Sequence, residues 1–406
     1  MPVMENFGEI LNWVDDQQER MVETVKAWSR INSGSHNLEG LAKMGEVVAE
    51  AFSSLGAELE VREARRGEKI NDRGELEKVT FGPVYHFKKR PSANRKVLLT
   101  GHLDTVFPKD HPFQKPVNLD GNTLNGPGVA DMKGGILVML VALEALERSG
   151  VAGSLGYEIL LNSDEEVGST GSAAILTECA KACDFGMTFE PAWADGTLAG
   201  ERKGSGNFSV IMRGRGAHAG REFEKGVNAI AALAELVTEL QALNGTEQGL
   251  TINPGLITGG TATNVVPDLA ICKFNVRVKT TDQQTWFERE LKRILDKYNA
   301  RQGLKAESHG HFTRVPKILT EANKKLFEVL KGLGQEIGIE VAWAPTGGCC
   351  DGNNLAAAGL PNIDTLGVRG GKIHTDKEFA LLDSFTERAK LSTLLLLNYA
   401  AGNFRL

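Results

Sequence analysis

Five short segments of the sequence carry His, Asp and Glu side chains, which bind divalent metals and activate water. In the first, His102 and Asp104 follow the apolar run Val97 to Thr100, a predicted buried strand. Sites in open α/β sheets form at the carboxyl ends of strands, and residues two apart share a face. Asp104 can then fix the tautomer of His102 while the other ring nitrogen binds a metal. A hydrogen-bonded structural pair is the alternative.

The second segment is the glycine-rich stretch Gly126 to Gly135, in which Asp131 directly precedes a predicted helix. Glycines let the backbone turn tightly there, and an Asp at such a place serves either as a ligand or as a helix N-cap. The glycines lack the GxGxxG spacing that follows a strand in dinucleotide-binding folds. A Rossmann-type cofactor site is therefore not predicted.

The third segment places Asp164, Glu165 and Glu166 in a row after the predicted strand Tyr157 to Asn162. Carboxylates this close raise one another's pKa unless cations offset their charge. A buried cluster of this kind therefore favours a metal, whereas a solvated acidic loop is the alternative.

Glu190, at the end of another apolar stretch, and His374, in a glycine-rich loop, complete the set. Each of the two taken singly is compatible with a structural role. Five ordered segments of hard oxygen and imidazole donors at predicted strand or loop ends together indicate a metal centre.

The bulk composition excludes several classes of function. The net charge of -6 is modest and Lys and Arg are scattered, so no nucleic-acid partner is expected. No apolar stretch approaches the roughly 18 to 20 residues of a membrane span, and the amino terminus lacks signal-peptide features. Five cysteines without a disulfide or zinc-finger spacing favour the cytoplasm. Cys179 and Cys183 are either a metal or redox pair or, as free cysteines often are, small buried apolar residues.

Periodicity divides the chain into three parts. Residues 1–203 alternate amphipathic helices, the first from about Met4, with strands, which predicts an α/β catalytic domain with a mostly parallel sheet. Residues 204–313 follow a βαββαβ order, which predicts an inserted α+β domain with two helices on one face of a sheet. Residues 314–406 resume the α/β pattern, with a helix predicted at Glu321–Ile337 and a strand at Glu340–Ala342.

The segments HLDTV, GPGVADMKGG, DEEVGS, FEPA and GGKIHT resemble the motifs of the M20 metallopeptidase family, in the family's order and over nearly the whole chain. The resemblance implies a zinc-exopeptidase-like catalytic domain and a ferredoxin-like lid and dimerisation domain. It implies two zinc ions per subunit, with Co²⁺ or Mn²⁺ as substitutes. The implied metal ligands are the bridging Asp131, His102 and Glu190 on one ion, and Glu166 and His374 on the other. Glu165 becomes the general base and Asp104 the residue that orients His102.

The resemblance also extends to the inserted domain. It implies that His218 reaches into the active site of a partner subunit in a homodimer, and that Asn264 and Arg277 hold a substrate carboxylate. The alternatives are that His218 caps a turn and that Arg277 is a surface residue. Gly348 lies in the substrate loop GGCCD, where Cys350 replaces the usual Ser or Thr and weakens a hydrogen bond.

The implied function is hydrolysis of an amide bond next to a free carboxylate, in a peptide or an N-acyl amino acid. In this mechanism Glu165 activates a water shared by the two metals. Arg369 and Lys372 either favour an acidic substrate residue or are simply solvated. A dipeptidase or tripeptidase acting from the amino end is the enzymatic alternative, which Glu190 in place of Asp disfavours. A catalytically silent dimeric binding protein is the alternative of another class.

Overall fold

The computed structural model describes residues 7–406, so the predicted start of the first helix near Met4 lies outside the described residues. The helices are α1 (Gly8–Asp15), α2 (Gln18–Ser29), α3 (Leu38–Phe52), α4 (Lys133–Glu147), α5 (Ala173–Ala180), α6 (Ala229–Ala242), α7 (Thr281–Asn299), α8 (Glu321–Glu336), α9 (Asp351–Ala357) and α10 (Ser384–Ala401). The strands are β1 (Glu58–Arg62), β2 (Gly67–Ile70), β3 (Leu76–Val79), β4 (Val84–Lys89), β5 (Lys96–His102), β6 (Val117–Asn118), β7 (Thr123–Asn125), β8 (Gly156–Asn162), β9 (Phe185–Thr188), β10 (Ala192–Trp193), β11 (Leu198–Arg202), β12 (Gly204–Arg213), β13 (Ala217–His218), β14 (Thr251–Gly259), β15 (Val265–Val266), β16 (Leu269–Val278), β17 (Lys305–Arg314), β18 (Trp343–Thr346), β19 (Asn362–Ile363), β20 (Arg369–Gly371) and β21 (Phe379–Leu381).

The main sheet has six strands in the order β1-β4-β8-β5-β9-β19. Strands β8, β5, β9 and β19 are parallel to one another, whereas β4 runs antiparallel to both β1 and β8. The predicted α/β fold is confirmed, with a sheet that is mixed. Because the central parallel strands end at one edge, the loops that follow β5, β8 and β9 meet there.

Successive side chains of a strand point to opposite faces of the main sheet, and both faces are apolar. Leu99 of β5 and Ile159 of β8 join the large core that includes α4 and α10, whereas Leu98 and Leu160 join a smaller core with α5. Helix α4 is buried along nearly its whole length, because it is covered by other helices as well as by the sheet. Its amino end is thereby held firmly beside Asp131.

A second, four-stranded antiparallel sheet forms within residues 204–314, in the order β14-β16-β12-β17. Helices α6 and α7 pack on it around a separate core that contains Phe208, Phe274, Phe287 and Phe312. The two chain segments that connect this sheet to the rest of the protein run side by side, because the backbones of Arg202 and Lys317 hydrogen-bond to each other.

The prediction of a strand at Glu340–Ala342 is wrong. The observed strand is β18, which begins at Trp343, one residue after the predicted strand would end. The side chain of Val341 is buried in the main core, close to Gly334 of α8. Only the carbonyl of Ala342 receives a hydrogen bond from β11, at Leu198, before β18 pairs with that strand. Val341 is therefore apolar because it packs on α8, not because it belongs to a paired strand.

Among residues 7–406, no helix is both long enough and apolar enough to cross a membrane.

We predict that Phe287→Ala destabilises the second sheet by about 3–5 kcal/mol, because truncating a buried aromatic leaves a cavity. The ring is fully buried, with centroids 5.3 Å from Phe208 and 6.1 Å from Phe312. Urea denaturation followed by circular dichroism measures the change. Phe223→Ala is the control, because that ring is 64% exposed. Equal midpoints for the two variants would contradict the described core.

Candidate metal centre

The predicted metal-binding side chains converge at one edge of the main sheet. His102 is the last residue of β5, Glu166 follows β8, and Glu190 follows β9. Asp131 precedes α4 without capping it, since Met132 holds the N-cap position and provides no side-chain hydrogen bond. His374 follows β20, which pairs with β10 just after Glu190. Five candidate ligands that are distant in sequence thus lie around one point.

His102, Asp131 and Glu190 form the first group, and all three are buried. Nε2 of His102 lies 3.2 Å from Oδ1 of Asp131 and 3.7 Å from Oε1 of Glu190. These separations let one imidazole nitrogen and two carboxylate oxygens face a single cation.

Asp131, Glu166 and His374 form the second group. Nε2 of His374 lies 3.2 Å from Oδ2 of Asp131 and 3.1 Å from Oε2 of Glu166. Asp131 belongs to both groups and offers a different oxygen to each. The arrangement can therefore hold two cations on either side of one carboxylate, and the open side is at His374, which is half exposed.

At this edge of the sheet, the positive charge of the protein groups does not balance the negative charge that the carboxylates would carry. Burial raises the pKa of Glu165 to about 7 and that of Glu166 to about 8, and it raises the pKa of Glu190 as well. Hydrogen bonds to Asp131 and Glu166 raise the pKa of His374 to about 11. Burial opposes ionisation of Asp131, but its two histidine partners hold its pKa below the ordinary value. Hard oxygen and imidazole donors that lack enough countercharge fit divalent cations.

Asp104 acts on its surroundings differently from the sequence-based expectation. Nδ1 of His102 lies 3.0 Å from the main-chain oxygen of Asp104 and 3.4 Å from its carboxylate. The carboxylate instead accepts the backbone N–H groups of Glu165 at 3.2 Å and Glu166 at 3.1 Å, and the hydroxyl of Ser35. Asp104 therefore orients His102 chiefly through its carbonyl, and its carboxylate holds the turn after β8.

Arg314 is a site residue that sequence analysis missed. Its buried guanidinium lies 2.8 Å from Oε1 of Glu165, and its Nη1 donates to Oδ1 of Asp351 at 3.1 Å. Arg314 is the last residue of β17, far from Glu165 in sequence, and nothing in the local pattern indicated this pairing. The guanidinium of Arg314 therefore fixes the orientation of the Glu165 carboxylate.

Glu378 was also missed, because its segment TDKEF resembles a solvated loop. The side chain is buried, and its carboxylate accepts the backbone N–H groups of Gly128, Ala130 and Asp131 at 3.0–3.1 Å. Burial raises its pKa to about 7. Glu378 thus shapes the glycine-rich turn that presents Asp131.

A cavity of about 790 Å³ opens over the two groups and extends to the second sheet. Of the predicted substrate residues, Arg277 of β16 and Gly348 line it. His218 and Asn264 are not among its described lining residues. His218 is the last residue of β13, and Asn264 directly precedes its partner strand β15, so that the carbonyl of Asn264 accepts the N–H of Ala219.

Cys350 fixes the start of helix α9, directly after the glycine-rich loop that contains Gly348. Its sulfur accepts the N–H of Gly352 as the N-cap of α9 and lies 3.1 Å from a carboxylate oxygen of Asp364. Cys349, its neighbour, is the cysteine that lines the cavity. The substitution of a hydroxyl by a thiol at Cys350 therefore affects a helix cap.

Comparison with known proteins agrees with this geometry. The Peptidase family M20/M25/M40 matches residues 98–398. Carboxypeptidase G2 of Pseudomonas sp. (strain RS-16) is 29% identical over 395 residues, which cover 95% of this chain and 91% of that protein. Succinyl-diaminopimelate desuccinylase of Verminephrobacter eiseniae (strain EF01-2) is 29% identical over 314 residues, covering 72% of this chain and 75% of that protein.

A similar fold occurs in the crystal structure of the YXEP protein of Bacillus subtilis, described as a dinuclear metal binding peptidase from the M20 family. The TM-score is 0.66 at 13% identity, and the match covers 95% of this chain and 99% of that one. Because the family match spans most of the chain and includes all five ligand segments, the chain belongs to Peptidase family M20/M25/M40 and is a hydrolase.

Proposed function

We propose that this hydrolase uses two metal ions to cleave an amide bond next to a free carboxylate. Its substrate would be a peptide carboxyl end or an N-acyl amino acid. The observation that carries the proposal is that one cavity holds both the Asp131-centred groups and the guanidinium of Arg277. An amide at the metals and a carboxylate at Arg277 would together define the bond that is cut.

Asp131 would bridge two zinc ions, with His102 and Glu190 on one and Glu166 and His374 on the other. Bound metals, for which Co²⁺ or Mn²⁺ are possible substitutes, supply Lewis acidity at the scissile carbonyl and lower the pKa of water. Glu165 takes a proton from the attacking water and returns it to the leaving nitrogen. Arg314 keeps the Glu165 carboxylate aimed into the cavity while that proton moves.

The first test is Glu165→Gln, which we expect to bind two metal ions but to lose about 10²- to 10⁴-fold in kcat, because the amide cannot accept a proton. Turnover of an N-acyl amino acid and metal content by mass spectrometry measure the two effects. Asp131→Asn is the matched variant and should lose metal as well as activity. Retention of more than a few percent of activity by Glu165→Gln would remove it from this role. Metal-free wild-type protein without turnover would instead support the silent binding protein.

The carboxylate site is argued from the contacts of Arg277. Its Nε donates to Oδ1 of Asn275 at 2.8 Å, and its Nη1 lies 2.9 Å from the sulfur of Cys349. Asn275 in turn donates to Oδ1 of Asn207 on the neighbouring strand. The guanidinium is thus held in a fixed plane, which suits bidentate recognition of a carboxylate. Lys372 lines the same cavity, which supports a preference for an acidic residue.

We expect Arg277→Met to lower kcat/KM for an N-acyl amino acid by about 10- to 100-fold, the value of a hydrogen bond to a charged group. Both proteins should cleave the corresponding carboxamide substrate slowly, and the substitution should change kcat/KM for it only a little. Arg293→Met is the control, because that side chain is 59% exposed on α7. An equal loss on both substrates would refute the carboxylate site. A higher rate on unblocked dipeptide amides would favour the aminopeptidase alternative.

We propose that residues 204–313 form an inserted ferredoxin-like lid and dimerisation domain, between catalytic segments 1–203 and 314–406. His218 and Asn264 lie together but do not line their own subunit's cavity, so they would act in the site of a partner. The edge strand β14 exposes Leu256 and Ile257 by 50% and 54%, an apolar surface suited to a second copy.

Subunit complementation tests this homodimer. His218→Ala and Glu165→Gln proteins should each be nearly inactive, because one lacks the imidazole that we propose stabilises the oxyanion in the partner's site, and the other lacks the base. After subunit exchange, activity should return to about a quarter of the wild-type value, because about half of the dimers are mixed and one of their two sites is intact. Activity of the mixture that stays at the sum of its parts, or a fully active monomer, would contradict the proposal.

We propose a cytoplasmic setting for the enzyme. All five cysteines are free thiols, including the neighbours Cys349 and Cys350 beside the cavity. Thiols of this kind are typical of a reducing compartment.

A further inference from the structure

His86, Glu158 and Cys179 form a buried cluster that the proposed hydrolase does not use. Nε2 of His86 lies 2.8 Å from Oε2 of Glu158 and 3.6 Å from the sulfur of Cys179. Their exposed fractions are 1%, 9% and 2%. Glu158 lies near the start of β8, whereas Glu165 and Glu166 follow its other end, so the cluster is separate from the Asp131-centred groups.

Strand register explains why these three side chains meet. In the antiparallel pair of β4 and β8, His86 lies opposite Leu160, and Glu158 lies opposite Lys88. His86 and Glu158 are therefore diagonal neighbours on one face of the sheet. Helix α5 covers that face and brings Cys179, among the apolar residues of the smaller core. The cluster thus joins two strands and a helix.

The charges around the cluster leave room for a cation. Lys88 is bound to Glu60, and Arg62 is bound to Glu178, so each of these flanking cations already has its own carboxylate. The Glu158 carboxylate and a Cys179 thiolate would together supply two negative charges, which match a divalent cation.

The donor types and their spacing suit zinc or a similar thiophilic metal. One nitrogen, one oxygen and one sulfur lie within 4.8 Å of one another. Zinc takes these three donor types at about 2.0–2.3 Å and commonly keeps a fourth position for water. Nδ1 of His86 has no hydrogen-bond partner and lies 4.0 Å from Oε2 of Glu60. A carboxylate beside the second nitrogen is the usual surrounding of a metal-bound histidine.

We propose that His86, Glu158 and Cys179 form a third metal site, which binds one thiophilic divalent cation such as Zn²⁺ or Cd²⁺. The site links α5 to β4 and β8 and takes no part in hydrolysis. Burial raises the pKa of the Cys179 thiol, so the metal-free cluster holds the thiol proton. Binding forms a metal–thiolate bond and releases that proton to solvent.

Cadmium titration of the enzyme loaded with only two zinc ions per subunit, those of the proposed hydrolytic centre, tests the site. One further equivalent should bind, with an ultraviolet thiolate-to-cadmium charge-transfer band, and the midpoint of thermal unfolding should rise. Cys349→Ser and Cys183→Ser are the controls and should keep the band, because neither thiol belongs to the cluster. Cys179→Ser should abolish the band while peptidase activity is retained.

Glu158→Gln and His86→Gln keep the thiol and should weaken cadmium binding at least 10-fold, which decides the case if Cys179→Ser fails to fold. No band in the wild type would overturn the proposal. A band that survives in Cys179→Ser, or unaltered affinity in both glutamine variants, would do the same. Because the band and the cadmium content do not depend on turnover, failure here leaves the proposed hydrolase untouched.

Discussion

The two oxygens of the Asp131 carboxylate face two different histidines, and the arrangement of the active-site edge depends on that division. A carboxylate that serves two groups must be held rigidly, because a small rotation would favour one group over the other. Three backbone N–H groups bound to Glu378 fix the turn on one side of Asp131. The buried helix α4 fixes the other side. The glycine-rich turn and the apolar helix are therefore parts of one support.

The surrounding carboxylates are supported in the same manner, through the backbone. Asp104 accepts the N–H groups of Glu165 and Glu166. Glu166, a proposed metal ligand, and Glu165, the proposed base, are therefore held together as a unit. Arg314 then orients the side chain of Glu165. Buried acids of this kind are costly without countercharge, and the fold supplies only part of it from protein groups. The remainder matches the charge of divalent cations.

Much of this site was predictable because its ligands lie at strand ends. His102, Glu166 and Glu190 follow apolar runs that the sequence marks clearly, and parallel strands bring such ends together. The supporting residues were not predictable, because their partners are distant in sequence. Arg314 ends an ordinary strand, and Glu378 lies in a polar loop whose burial depends on tertiary packing. The misplaced strand at Glu340–Ala342 has the same origin, since Val341 is apolar because it packs on α8.

The position of Arg314 has a consequence for how the second sheet can move. Arg314 belongs to β17 of that sheet, yet its guanidinium binds Glu165 and Asp351 of the main body. The neighbouring connection is tied by the bidentate contact of Arg202 with Asp364. Any swinging of the sheet must therefore pivot beyond these two arginines, at the first residues of β12 and at the residues of β17 that precede Arg314. Opening would carry Arg277 away from the Asp131-centred groups while the carboxylate of Glu165 stays in place beside them.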